Sequence, residues 1–229
     1  MKVASYNIHK GIGLDRRRDP DRILHVLDEV GADVVALQEA DRRFFSRRAV
    51  ITPERLEASG WRHVPFHMKP ESLGWHGNAI LVRDGIGVRH AEPLWLEGLE
   101  PRGAVLAELD TALGPFRVVG MHLDLSGLYR VRQVLRLVEV IDVRSPLPTI
   151  IMGDTNDWNR GRLAAMDRVP SHFRSAPCGP SFHTRRPVLA LDRILYDRDL
   201  ELVNCGVHRT ALSRRASDHL PIWAELKLA

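Results

Sequence analysis

The stretch Thr149-Ile150-Ile151-Met152-Gly153-Asp154-Thr155-Asn156-Asp157-Trp158 constrains the fold more than any other part of the chain. After Pro148, four apolar or β-favouring residues read as a short, fully buried strand. Gly153 is expected to let the backbone turn, so that Asp154 and Asn156 emerge at the strand's carboxyl end. Open α/β sheets place their chemistry at that end. An Asp/Asn turn that merely closes the strand would have the same local sequence. What separates the two readings is recurrence.

The arrangement does recur. Val3 to Ile8 reads as a strand delivering Asn7, followed by a glycine- and arginine-rich turn. Asp19-Pro20 supplies an N-cap and an N1 proline, Ile23, Leu27 and Val30 share a face, and Gly31 stops the helix, which predicts residues 20 to 30 as helical. Val34 to Leu37 is a second buried strand, ending in Gln38-Glu39. Strands are further predicted over Trp61 to Phe66, Asn78 to Arg83, Gly87 to Trp95, Ala104 to Asp110 and Phe116 to Met121, the last leading into His122. A helix over Leu128 to Val143 carries Val131, Val134, Leu135, Val138 and Ile141 on its core face, and Arg160 to Asp167 is a short helix candidate. Residues 168 to 187, rich in Pro, Ser, Arg and Gly, form a long surface loop, a kind of segment that usually carries function. Leu189 to Tyr196 is a strand holding Asp192, Glu201 to Val207 is another, and Ser217-Asp218-His219 precedes the closing strand, Leu220 to Leu228.

With 229 residues, 44% hydrophobic and 27% charged, and no linker-like shift in composition, the chain is expected to fold as one domain over residues 1–229. Cys178 and Cys205 are the only cysteines, too few for a disulfide framework or a zinc site, so reduced thiols and a cytoplasmic location are expected. No signal peptide is visible, and no apolar run approaches the ~18 residues that a membrane span needs. The sequence leaves the oligomeric state open, with a monomer as the expectation.

Polar residues thus stand at corresponding places: Asn7, Glu39, His122, Asp154, Asn156, Asp192 and Asp218-His219. Gathered together they are costly unless a cation and hydrogen bonds neutralise them. Carboxylate and amide oxygens without clustered Cys or paired His suit Mg²⁺ or Mn²⁺ better than zinc, and magnesium works together with phosphate oxygens. A His beside an Asp adds a general base.

The segments Ser5-Tyr6-Asn7, Leu37-Gln38-Glu39, Met121-His122-Leu123, Met152-Gly153-Asp154-Thr155-Asn156, Leu191-Asp192-Arg193-Ile194 and Ser217-Asp218-His219-Leu220-Pro221 occur in an order that resembles the endonuclease/exonuclease/phosphatase superfamily of DNase I-like enzymes. Single segments are weak signals, whereas the ordered set spans nearly the whole chain. Thr155 departs from the pattern, which more often has an apolar or aromatic residue there. The resemblance implies a four-layer α-β-β-α sandwich of two packed mixed sheets and a divalent-metal-dependent phosphodiester hydrolase. It implies Glu39 as the main metal carboxylate, helped by Asn7 and Asp218, and His219 as the base, oriented by Asp192. Asp154 and Asn156 would position the nucleophile and the scissile phosphate, and His122 would stabilise charge on a phosphate oxygen.

The arginines suggest the substrate. Arg16 to Arg18, Arg42, Arg43, Arg47 and Arg48, Arg185 and Arg186, and Arg214 and Arg215 all flank the motif loops. Converging, they would ring the mouth and favour a polyanion such as DNA or RNA, although solvated loop charge would read the same. Phospholipid head groups or small phosphate esters are the alternative substrates, and a non-catalytic anion-binding protein is a third reading. Asn78 could orient the phosphate or serve as a turn residue.

Overall fold

The computed structural model describes residues 1–42, 47–68, 70–158 and 161–229. In chain order the elements are β1 (Lys2–Asn7), α1 (Pro20–Val30), β2 (Val34–Gln38), α2 (Pro53–Ala58), β3 (Trp61–His63), β4 (Ala79–Arg83), β5 (Gly87–Leu94), β6 (Gly103–Thr111), β7 (Gly114–His122) and α3 (Gly127–Asp142). They continue with β8 (Thr149–Asp154), β9 (Arg174–Ser175), β10 (Asp192–Tyr196), β11 (Leu200–Val207), α4 (Ser213–Ala216) and β12 (Ile222–Leu228).

Two six-stranded mixed sheets result, in the orders β11-β12-β1-β2-β4-β3 and β5-β6-β7-β8-β10-β9. Val3, Val34, Ala36, Ile80 and Val82 of the first sheet pack against Val105, Val118, Ile150, Met152 and Ile194 of the second. On the outer face of the first sheet, Ala4, Tyr6, Val35 and Leu37 meet Ile23, Leu27 and Val30 of α1. On the outer face of the second, Leu106, Val119 and Ile151 meet Val134, Leu137 and Ile141 of α3. The layers run α-β-β-α, as the resemblance implied. Both faces of the central strands are covered, which is why β2 and β8 are continuous apolar runs instead of alternating ones.

Helix α1 has the predicted boundaries. The Asp19 carboxylate accepts from Arg22 N at 3.1 Å, and Gly31 caps the other end with φ 60°. Elsewhere the structure corrects the sequence reading. Gly153 makes no turn: it lies inside β8, where an added Cβ would sit 1.8 Å from the Met121 carbonyl oxygen of the neighbouring strand. Strand β3 stops at His63, and β10 begins at Asp192. On α3, Leu135 is 46% exposed, and Leu137 takes the core position together with Arg130 and Gln133. Short 3₁₀ turns at Gly161–Leu163 and Ala165–Arg168 replace the helix candidate there, whose first residue, Arg160, lies outside the described residues, as does Arg43. No helix among the described residues is long and apolar enough to cross a membrane.

Candidate active site

Strand direction gathers the polar residues. Strands β1 and β2 run parallel with Asn7 beside Gln38, so Asn7 and Glu39 leave the first sheet at one edge. Strands β7 and β8 run parallel with His122 beside Asp154, and antiparallel β10 begins with Asp192 opposite Asp154. Antiparallel β12 starts beside the end of β1 and brings Asp218-His219 to the same edge. Asn7 Nδ2 donates to Asp154 Oδ2 at 3.0 Å, joining the two sheets. The backbone marks the place too. Eight non-glycine residues among those described have positive φ, and six of them (His9, Lys10, Glu39, Arg47, His76 and Asn156) lie in or beside this region. Such strain persists where surrounding structure over-determines it, typically at functional sites.

Three side chains converge on one carboxylate oxygen. His122 Nε2 lies 3.4 Å and His219 Nε2 3.7 Å from Asp154 Oδ2, the atom that Asn7 also reaches. His219 Nδ1 donates to Asp192 Oδ2 at 2.9 Å, and the Ser181 hydroxyl donates to the same oxygen. Together these contacts fix the tautomer and leave Nε2 facing Asp154. The Phe182 ring covers His219 with centroids 4.7 Å apart. Asn156 closes an Asx turn, its N–H donating to Asp154 Oδ1 at 3.0 Å, while its Nδ2 donates to Leu123 O.

Burial pushes the Asp154 carboxyl up to about 6, against the opposing pull of His219. Burial lowers His219, but Asp192 and Asp154 outweigh it and raise the imidazole to about 10. Each carboxylate therefore strengthens the imidazole as a base.

The donors fit a hard cation. Glu39, at the end of β2, meets the Lys10 ammonium, so its carboxylate faces a position that favours positive charge. Asp218 lies 3.7 Å from His9 Nδ1, and its neighbour Ser217 donates to Asn7 O. A second group, Asp154, Asp192 and His219, has ligand atoms within 4.8 Å of one another, and Asp192 Oδ1 is buried with no hydrogen-bond partner. There His219 Nδ1 and Asp192 Oδ2 are engaged with each other, as Glu39 Oε2 is with Lys10, so neither side is the preferred seat on these contacts alone. Oxygen donors of both kinds match Mg²⁺ or Mn²⁺.

A cleft lined by Lys10, Glu39, Asp41, Arg42, Arg47, Glu100, Arg102 and His122 adjoins these groups at Glu39 and His122. Arg47 reaches His76 Nδ1 at 2.6 Å, whereas Arg48 turns to Glu71 at 3.2 Å. Arg185 and Arg186 are exposed on the loop after Thr184, whose N–H donates to Asp218 O. Arg16 to Arg18 and Arg214 are exposed, and Arg215 faces Asp15, Asp19 and Asp21 in a different cleft. Asn78 Nδ2 donates to Trp75 O and Gly103 O, which ties two loops together. Lys10, Arg102 and Ser181 escaped the sequence reading. Lys10 follows the Asn7 motif directly and could have been noticed. Arg102, which contacts His122 and donates to Leu123 O, arrives only through the pairing of Gly103 with His122.

The description Endonuclease/Exonuclease/phosphatase family belongs to a family model that matches residues 4–219. The chain is 28% identical to the Escherichia coli (strain K12) protein YbhP, itself uncharacterized, over 248 residues covering 100% of this chain and 96% of that one. Its fold is similar to an endonuclease/exonuclease/phosphatase from Beutenbergia cavernae DSM 12333, with TM-score 0.76, 21% identity, and 100% of this chain and 72% of that chain covered. It is likewise similar to D. rerio TDP2 complexed with single strand DNA product, with TM-score 0.73, 16% identity and coverages of 99% and 98%. The human Nocturnin catalytic domain with bound sulfate anion gives TM-score 0.74 at 19% identity, with coverages of 100% and 94%.

Proposed function

Because the chain belongs to the endonuclease/exonuclease/phosphatase family, we propose that it is a divalent-metal-dependent phosphodiester hydrolase acting on DNA or RNA. The observation that carries this reading is the convergence of Asn7, His122 and His219 on Asp154 Oδ2, with Asp192 holding His219 from behind. Glu39, with Asn7 and Asp218, would hold Mg²⁺ or Mn²⁺. When bound, the ion supplies positive charge for a phosphoryl oxygen.

The chain's own residues do the rest. His219 Nε2 takes the proton of the attacking water, whose oxygen forms the new bond to phosphorus as the bond to the leaving oxygen breaks. Asp192 holds the ring in the tautomer that this requires and stabilises the imidazolium that forms. The same proton is then available to the leaving oxygen. Asp154, Asn7 and Asn156 position the water and the phosphate. His122, with Arg102 against it, donates to a non-bridging oxygen where charge accumulates. Because Asp192 and Asp154 raise His219, its reactive neutral form gains population as pH rises.

Lys10, Arg42, Arg47 and Arg102 outnumber Glu39, Asp41 and Glu100 around the cleft, although Lys10 and Arg102 are paired with Glu39 and Glu100, and this balance suits a polyanion. A hydrolase of phospholipid head groups is the second reading. It draws on Leu99 and Leu125, both exposed, with Leu99 N donating to the side chain of Asp124, the residue before Leu125. An activity panel with Mg²⁺, Mn²⁺ and EDTA arms tests both, using plasmid DNA, single-stranded RNA, sphingomyelin and bis-p-nitrophenyl phosphate. Metal-dependent cleavage of nucleic acid is expected. Turnover of lipid alone would move the substrate, and no turnover on any of them would sink the hydrolase reading.

A further inference from the structure

An aromatic wall adjoins the cleft. The Trp75 and Trp95 rings pack edge to face with centroids 4.4 Å apart, and His76 packs on Trp75 at 4.0 Å. Trp75 is pinned from below. Its N–H and carbonyl pair with Asn78, and Asn78 Nδ2 bridges Trp75 O to Gly103 O. Gly103, paired with His122, lies against the same indole: an added Cβ would be in ordinary contact with Trp75 Nε1, at 3.6 Å. Trp95, by contrast, is 69% exposed, an apolar surface left in water beside a cationic cleft.

Between these rings, Arg47, Met68 and Ser72 lies a cavity of about 200 Å³. Arg47 and His76 line this cavity and the catalytic cleft alike, so the two are immediate neighbours. A ligand whose phosphate lies in the cleft would therefore carry its adjoining group toward the indoles.

Resting on the hydrolase reading above, we propose that Trp75, His76 and Trp95 form a stacking subsite for an unpaired base next to the scissile phosphate, making single-stranded nucleic acid the preferred substrate. The chemistry selects this occupant in three steps. Indole and imidazole rings beside a guanidinium favour a flat π-system. Bases within a duplex already stack on one another and offer only their edges, so an aromatic subsite takes a base by stacking only when it is unpaired. The cations around the cleft hold the backbone that such a base hangs from.

The test uses the full chain with a single-stranded thymidine oligonucleotide and an abasic oligomer of the same backbone length and charge. Wild type, Trp95→Ala and Trp95→Phe are compared in two ways. One readout is the kcat/KM ratio for base-bearing over abasic strand with Mg²⁺, and the other is the corresponding ratio of binding affinities by fluorescence anisotropy in EDTA. Loss of a stacked base weakens binding by about tenfold or more. Wild type should favour the base-bearing strand by that factor, Trp95→Ala should bring both ratios toward one, and Trp95→Phe should retain most of the preference.

If wild type cleaves both strands equally well, or if Trp95→Ala keeps the preference, the subsite is wrong and the hydrolase reading stands. If neither strand nor bis-p-nitrophenyl phosphate is cleaved, the hydrolase reading fails, and the binding ratio alone decides the subsite. A third arm measures adsorption to phosphatidylcholine–phosphatidylglycerol vesicles. Loss of adsorption in Trp95→Ala with the oligonucleotide ratios unchanged would assign the wall to lipid and overturn the proposal.

Discussion

Asn7 donates to Asp154 Oδ2 across 3.0 Å, and this buried hydrogen bond links the end of β1 in one sheet to the end of β8 in the other. The same contact helps to keep Asp154 ionised against the burial that raises its pKa. Asn7→Ala leaves a buried carboxylate oxygen short of a donor, a loss of about 1–3 kcal/mol. The expected result is a melting temperature several degrees lower, since each kcal/mol shifts Tm by about 2–4 °C for a chain of this size. Turnover should fall as well. Calorimetry and kinetics on one preparation check both, and an unchanged Tm would show that the sheets do not depend on this link.

Asp192→Asn tests the orientation of His219. The amide retains the shape but cannot stabilise the imidazolium, and it favours the wrong tautomer. A drop in kcat of about 10²–10⁴ is expected, with KM little changed. Near-normal kcat in Asp192→Asn would remove Asp192 from the mechanism.

Two adjacent arginines are expected to behave differently. Arg47 lines the cleft beside His76, whereas Arg48 pairs with Glu71, both of them largely exposed. Arg47→Glu should raise KM for nucleic acid by about tenfold and make binding less sensitive to salt. Arg48→Glu should have a much smaller effect, since exposed pairs contribute little. Equal effects would point to a diffuse cationic surface instead of a defined cleft.

The acid stability of the turn before α1 has a clear sign. Hydrogen bonds from the Arg22 guanidinium, then from the Arg17 N–H, hold the Asp15 carboxyl down at about 2 against its ordinary 3.8. A depressed carboxyl stabilises the folded chain fully above 3.8 and loses that contribution as pH falls through about 2. Urea midpoints measured across this interval should fall less steeply for Asp15→Asn than for wild type. Parallel slopes would show that the pair contributes nothing there.

Glu39, His122 and Asp154 were legible because β2, β7 and β8 are buried in the sandwich, so each follows a largely apolar run, whereas Asp192 opens β10 and Asp218-His219 precede β12. Helix α1 was equally legible from Asp19-Pro20 and Gly31, whose local chemistry sets the ends without tertiary help. The face of α3 was misjudged because its buried side includes polar groups that tie loops together: Gln133 accepts from Asp124 N and donates to Glu97 O. Helix α2 carries one buried apolar side chain, Leu56, too little for a periodicity argument. Arg102 and Ser181 reach His122 and Asp192 only through strand pairing and loop docking between distant segments, relationships that no local pattern encodes. The Trp75–Trp95 wall stayed hidden for the same reason.

The most direct measurement compares wild type with Asp154→Asn on bis-p-nitrophenyl phosphate, titrated with Mg²⁺ and then quenched with EDTA, with circular dichroism confirming the fold of both. Wild type should turn over only with the metal, and Asp154→Asn should fall by about 10² or more while remaining folded. Metal-independent turnover, or a folded Asp154→Asn protein with wild-type rates, would contradict catalysis at this cluster.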